Sequence, residues 1–239
     1  MAYSGVYVFG DSLVDAGNVL KLADWYGGLT FGEVDGAPYA EDGYYLGRFS
    51  NGFTFADLIS NKSIGAVTKP IFPYGYEDPL FGLPIDPLAS DPSGNNLNFA
   101  YGGAQIRQGD MPDLDQQTDA FKDAVDNRAP SGALYIVTMG GNDVRALAPA
   151  GADPVNPEDA EEALRECALQ LIHELTQLIA SGARYFLITG VPDVGLIPKY
   201  DDEPGQPGYG ALEGEEIARS AAATRYSEYL DNLIQTQVV

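Results

Sequence analysis

ALYIVT (residues 133–138) and RYFLIT (residues 184–189) are separated by NPEDAEEALRECALQLIHELTQLIASG (residues 156–182), and this succession decides the fold class. Both apolar runs are short, continuous and rich in Val, Ile, Leu and aromatic residues, as expected for strands covered on both faces. The stretch between them reads as a helix over Pro157–Ser181. It opens on Asn-Pro, carries acids in its first turn and meets a glycine just past its end. Strand, helix and strand of this kind make a parallel sheet wound with helices on both faces, an α/β fold. Two further strands are expected at Gly5–Phe9 and Asn98–Tyr101, and two further helices from about Leu212 to Gln235 and over Asp113–Arg128. The 239 residues suit a single domain spanning 1–239.

Two stretches interrupt this rhythm. Tyr26–Gly52 is rich in Gly and Tyr, and Ile71–Asn96 is set among prolines from Pro70 to Pro92. Long irregular connections in a compact domain are binding loops, lids or plain surface decoration.

Charge narrows the function classes. Against 13 Lys and Arg stand 35 Asp and Glu, a net charge of −22. Such a surface repels phosphate backbones and anionic headgroups, so nucleic acid is excluded as a partner. Cys167 is the only cysteine, which rules out an intrachain disulfide and a cysteine zinc site. It falls on the apolar stripe of the long helix, where a small buried residue is expected. No run of 18 apolar residues predicts a transmembrane helix, and the first residues show no signal-peptide pattern. No cluster of histidines and acids has metal-ligand spacing, so neither metal nor cofactor is expected.

The unusual residues fall where a doubly wound sheet binds ligands, outside the carboxyl ends of its strands. Gly10-Asp11-Ser12 ends the first strand, Gly102-Gly103 the second, and Gly140-Gly141-Asn142-Asp143 the third. A serine after a strand is either a helix cap or a nucleophile. Glycines at successive rims let backbone N–H groups approach a ligand, and Asn142 adds an amide donor. A hydroxyl among convergent N–H donors is what acyl transfer requires, because negative charge develops on the carbonyl oxygen.

FGDSLVDAGN (9–18), GRFSNG (47–52), NFAYGGA (98–104) and GGND (140–143) resemble, in order, the blocks of the GDSL lipases and esterases, the SGNH hydrolases. YFLITGVPDVG (185–195) is similar to their bacterial secreted and autotransporter-type branch. The resemblance implies a flavodoxin-like α/β/α sandwich, hydrolysis of a small-molecule or lipid ester through an acyl-enzyme, and an exported, periplasmic or outer-membrane-associated protein. It implies Ser12 as nucleophile, its N–H joining the oxyanion hole at the start of a helix. Gly103 would give a second N–H, with Gly102 the neighbouring alternative, and Asn142 a third donor. Asp11 and Asp143 match the blocks as braces of their turns through Asx-type hydrogen bonds.

The family's last block, D-x-x-H after a further strand, does not occur in these 239 residues. The only histidine, His173, is preceded at that offset by Gln170 and falls within the long helix. The expectation is a C-terminally incomplete hydrolase domain, short of its last strand and of the Asp-His pair. The alternatives are a last strand and loop supplied by a separate polypeptide, and an inactive relative that binds esters or glycans. The aromatic loops, with Trp25, Tyr26, Tyr44 and Tyr45, suit an acyl chain or a sugar ring.

Overall fold

A computed structural model describes residues 3–30, 34–72, 94–200 and 214–238. These divide into two compact units, Met1–Thr138 with Glu174–Ile188 and Met139–His173 with Thr189–Val239.

The first unit holds the sheet. Its strands are β1 (Val6–Gly10), β2 (Lys69–Pro70), β3 (Leu97–Asn98), β4 (Leu134–Thr138) and β5 (Tyr185–Ile188), all parallel, in the order β2-β3-β1-β4-β5. Val6 to Gly10 pair one for one with Leu134 to Thr138, which makes β1 and β4 the central ladder. Alternation along VYVF sends Val6 and Val8 to one face, where they pack with Leu134, Ile136, Val14, Ala100 and Ala56 of helix α2 (Phe55–Ile64). Tyr7 and Phe9 go to the other face and meet Phe121 of helix α3 (Leu114–Ala124) at ring-centroid distances of 4.9 and 5.6 Å. Helices therefore flank both sheet faces, as a parallel sheet requires.

Four strands stand out as apolar runs, whereas among the described residues the sheet has five. The addition, β2, contains Pro70, which lacks an N–H and is tolerated at an edge. Of the run at Asn98–Tyr101 only Asn98 falls in a strand, β3, although Phe99 and Tyr101 still donate their N–H groups to Val8 O and Gly10 O of β1. The expectation that RYFLIT is covered on both faces is corrected: β4 is buried throughout, but in β5 Tyr185 is exposed and Phe186 to Ile188 are half-buried. β5 is the edge strand, and no strand follows it among the described residues. Helix α3 stops short of Arg128 because Asp126 and Asn127 take left-handed conformations, with φ of 50° and 55°. Helix α1 (Asn18–Thr30) overlaps the start of the expected Gly- and Tyr-rich loop. The proline-rich stretch 73–93 and residues 201–213 lie outside the described residues.

The second unit holds the short helix α4 (Gly141–Leu147), most of helix α5 (Pro157–Ser181) and helix α6 (Glu215–Leu233). The bounds of α5 are those expected from its capping signals. Residues 191–195 dock on α6 through polar side chains. Val191 N–H donates to Asp231, Val194 N–H to the Ser227 hydroxyl, and the Thr224 hydroxyl to Asp193.

Candidate active site

β1 ends at Gly10, and a Cβ there would stand 2.5 Å from the Thr138 carbonyl oxygen. Buried Gln117 of α3 fastens this residue twice, its Oε1 accepting from Gly10 N–H at 2.8 Å and its Nε2 donating to Gly10 O at 3.0 Å. Asp11 N–H donates across to Thr138 O at 3.2 Å, and Asp11 Oδ1 accepts from Leu13 N–H at 3.0 Å. That is the Asx-type brace expected of Asp11. Ser12, half-buried, sits inside the turn so made.

The expectation that Ser12 opens a helix is corrected. Residues 12–14 form a single turn, closed by Asp15 N–H on Asp11 O at 3.0 Å, and α1 begins six residues after Ser12. The N–H groups at the start of α1 serve Asp15, whose Oδ1 accepts from Gly17 and Asn18 at 2.8 and 2.7 Å and whose Oδ2 accepts from Val19 at 3.2 Å. The dipole at Ser12 is that of one turn, not of a helix.

Asp15 Oδ2 also accepts the Gly102 N–H, at 3.0 Å. Gly102 is buried, and a Cβ on it would stand 2.2 Å from the Phe49 ring. Gly103 is exposed, with φ of 85°, a conformation that suits glycine. Asn18, fully buried, donates through Nδ2 to Asn98 O and Ala100 O at 2.9 and 2.8 Å and accepts Phe72 N–H through Oδ1. Asn98 donates in return to Val14 O at 2.7 Å and to the Thr68 hydroxyl at 3.2 Å.

Thr68 hands this network on to a buried ion pair. Its N–H and hydroxyl both donate to Asp57 Oδ1, while Arg48 grips Asp57 with Nε on Oδ2 at 2.6 Å and Nη2 on Oδ1 at 3.0 Å. Burial alone would raise the Asp57 carboxyl, but the Arg48 and Thr68 hydrogen bonds and the Arg48 charge hold it below the usual carboxylate range. Arg48, Asp57, Thr68, Asn98 and Asn18 thus connect GRFSNG and NFAYGGA to the serine turn. None of Asp15, Asn18, Arg48, Asp57 and Asn98 was singled out in the sequence. Asp15, Asn18, Arg48 and Asn98 lie within the quoted blocks, and Asp57 has no such mark.

Burial pushes the Asp15 carboxyl up to about 6, against the pull of its four N–H donors. The folded state therefore holds this proton more tightly than the unfolded chain does. Asp15's contribution to stability falls as pH rises from about 4 to about 6, by on the order of 3 kcal/mol, and is level above that. Asp113, raised to about 7 by burial and by its hydrogen bond and charge interaction with Asp115, adds in the same direction. Urea midpoints are expected to be higher at about pH 5 than at about pH 8, and Asp15→Asn is expected to flatten that difference. An unchanged slope in the variant would place the effect elsewhere.

In the second unit Asn142 is half-buried in the first turn of α4, where its Oδ1 lies 3.4 Å from Arg145 Nη1. Asp143, also in the first turn of α4, is buried. Its Oδ1 accepts from the Cys167 thiol at 3.3 Å, so Cys167 is a thiol donor as well as a buried residue of α5. His173 lies in α5 and is exposed. Among the described residues, no group of three or more His, Cys, Asp or Glu could hold a metal ion, and no helix is long and apolar enough to cross a membrane.

The family model for GDSL-like Lipase/Acylhydrolase matches residues 6–237. The chain belongs to this family. Among its curated relatives, a GDSL esterase/lipase of Arabidopsis thaliana is 29% identical over 220 residues, covering 80% of this chain and 53% of the relative. A second Arabidopsis GDSL esterase/lipase is 27% identical, covering 80% of this chain and 54% of the relative. Lipase 1 of Photorhabdus luminescens is 28% identical over 204 residues, covering 83% of this chain and 24% of that protein. The chain thus spans about half the length of the plant GDSL relatives and a quarter of the bacterial lipase.

Proposed function

We propose that this GDSL chain is one hydrolase domain that cleaves carboxylic esters through an acyl-enzyme on Ser12. The observation that carries the reading is the buried network binding the serine turn to the Asn98–Gly103 segment. It holds a hydroxyl-bearing turn and a glycine rim in fixed register, which acyl transfer needs before substrate arrives.

In the proposed reaction Ser12 Oγ attacks the carbonyl carbon and its proton passes to an imidazole. The tetrahedral oxyanion is held by the N–H groups of Ser12 and Gly103 and by the Asn142 amide. The bond to the alcohol breaks as the imidazole returns its proton to the leaving oxygen, and water then hydrolyses the acyl-serine by the same route. Gly103 is preferred over Gly102 because the Gly102 N–H is engaged by Asp15.

The imidazole and its orienting carboxylate are proposed to lie beyond residue 239. Three observations support this: the only histidine is exposed on α5, the plant relatives are about twice as long, and β5 is a half-covered edge. Substrate is proposed to be a small-molecule or lipid ester met after export, its apolar part facing exposed Tyr44, Tyr45 and Phe53. Those same rings favour the second reading, an ester- or glycan-binding module without turnover.

A fluorophosphonate applied to a form extended past Val239 tests the proposal. Ser12 is expected to be the serine labelled, and p-nitrophenyl acetate to be hydrolysed far faster than by the 239-residue chain. Labelling at Ser50 or another serine would remove Ser12 from the mechanism. An extended form that contains D-x-x-H yet stays inert would leave the binding reading.

A further inference from the structure

The fully buried carboxylate of Asp15 has a division of labour that the proposed reaction does not use directly. Each of its oxygens accepts two backbone N–H groups: Gly17 and Asn18 on Oδ1, Val19 and Gly102 on Oδ2. Three of these belong to the start of α1, and the fourth reaches 87 residues along the chain to the glycine rim. Asn18, in the same turn, holds the other end of that rim segment through Asn98 O and Ala100 O. Phe49 closes the remaining side of Gly102.

We propose that Asp15 is the positioning residue of the oxyanion site: it withdraws the Gly102 N–H from the ligand side and leaves the Gly103 N–H as the donor offered there. This rests on the reading of Ser12 as nucleophile. Only a carboxylate serves, because it is an acceptor on both oxygens. An asparagine at this position turns an NH2 group toward two N–H donors whichever way its amide is set. The Gly102 peptide is then pushed from its place, and Gly103 with it.

The test is a titration of a form extended past Val239, one that carries D-x-x-H, with a short alkylboronic acid, which forms a tetrahedral adduct on a serine hydroxyl, followed by 1H–15N NMR. The Gly103 amide is expected to move strongly on adduct formation and the Gly102 amide little. Ser12→Ala is expected to abolish both changes. In Asp15→Asn, with the rest of the spectrum retained, the Gly102 amide is expected to lose its downfield position and boronate affinity to fall by about tenfold or more. A role confined to stability would leave affinity and the Gly103 response intact in the folded variant. Should Asp15→Asn not fold, the comparison of the two glycines in the wild type stands by itself. A Ser12-dependent adduct that moves Gly102 more than Gly103, or moves neither, overturns the role of Asp15 while keeping the nucleophile. So does wild-type affinity in folded Asp15→Asn. An adduct absent from the wild type or unaffected by Ser12→Ala overturns both.

Discussion

Ser12→Ala, in a form of the protein that carries the Asp-His pair, is expected to lower ester turnover by roughly 10⁴–10⁶-fold with the fold unchanged. The loss is large because in the proposed reaction the nucleophile acts as a unit with its base and orienting acid. Removing it leaves only what binding and the oxyanion donors contribute. Asn142→Ala is expected to cost less, about 10²–10³-fold in kcat with KM nearly constant, since in the proposed reaction its amide meets charge that exists in the transition state. Steady-state kinetics on the two variants separates the roles. If Asn142→Ala changes KM alone, Asn142 positions substrate and does not stabilise the oxyanion. If Ser12→Ala keeps its activity, the acyl-enzyme is elsewhere.

The largest effect on stability is expected at Arg48. The Arg48 and Asp57 side chains are 5% and 0% exposed, so neither charge has water to fall back on. Arg48→Met leaves Asp57 ionised among Thr54 and Thr68 hydroxyls without its cation, and breaking such a pair costs about 3–5 kcal/mol. Urea unfolding should show the midpoint falling accordingly. The held-down Asp57 carboxyl gives stability above its unfolded value near 4 that is lost as pH falls through its folded value. The variant should therefore lose part of the wild type's acid-side decline. A change within a few tenths of a kcal/mol would mean the pair is offset by its own desolvation. Because Thr68 joins Asp57 to Asn98, this variant should also loosen the serine turn.

What could be read from the chain follows from what each signal depends on. The bounds of α5 were legible because Asn-Pro, first-turn acids and a terminal glycine are local signals. β1 and β4 were legible because burial on both faces leaves a continuous apolar run. β2 was not, since two residues with a proline carry no period, and α1 was hidden by Gly27 and Gly28. Ser12, Gly103 and Asn142 could be nominated from block order. The commitment of Gly102 N–H to Asp15 could not, because an acid five residues past a strand end looks like any solvated surface charge. The contact of Asp143 with the Cys167 thiol was hidden for a related reason: the two lie 24 residues apart in the chain.

The ties that shape the serine turn are long in sequence. Gly10 meets Gln117 across 107 residues, Asp15 meets Gly102 across 87, and Asn18 meets Ala100 across 82. β1 itself is completed by β4, more than a hundred residues downstream. Such contacts require large loops to close before they repay the entropy, so they form late and slowly. During synthesis the segment FGDSLVDAGN emerges first and stays without its partners until β4 and α3 have followed it. A nascent or partly unfolded chain therefore holds its serine in no particular geometry. The geometry of the serine turn arrives together with the completed sheet, so a chain still folding carries the motif but not the arrangement.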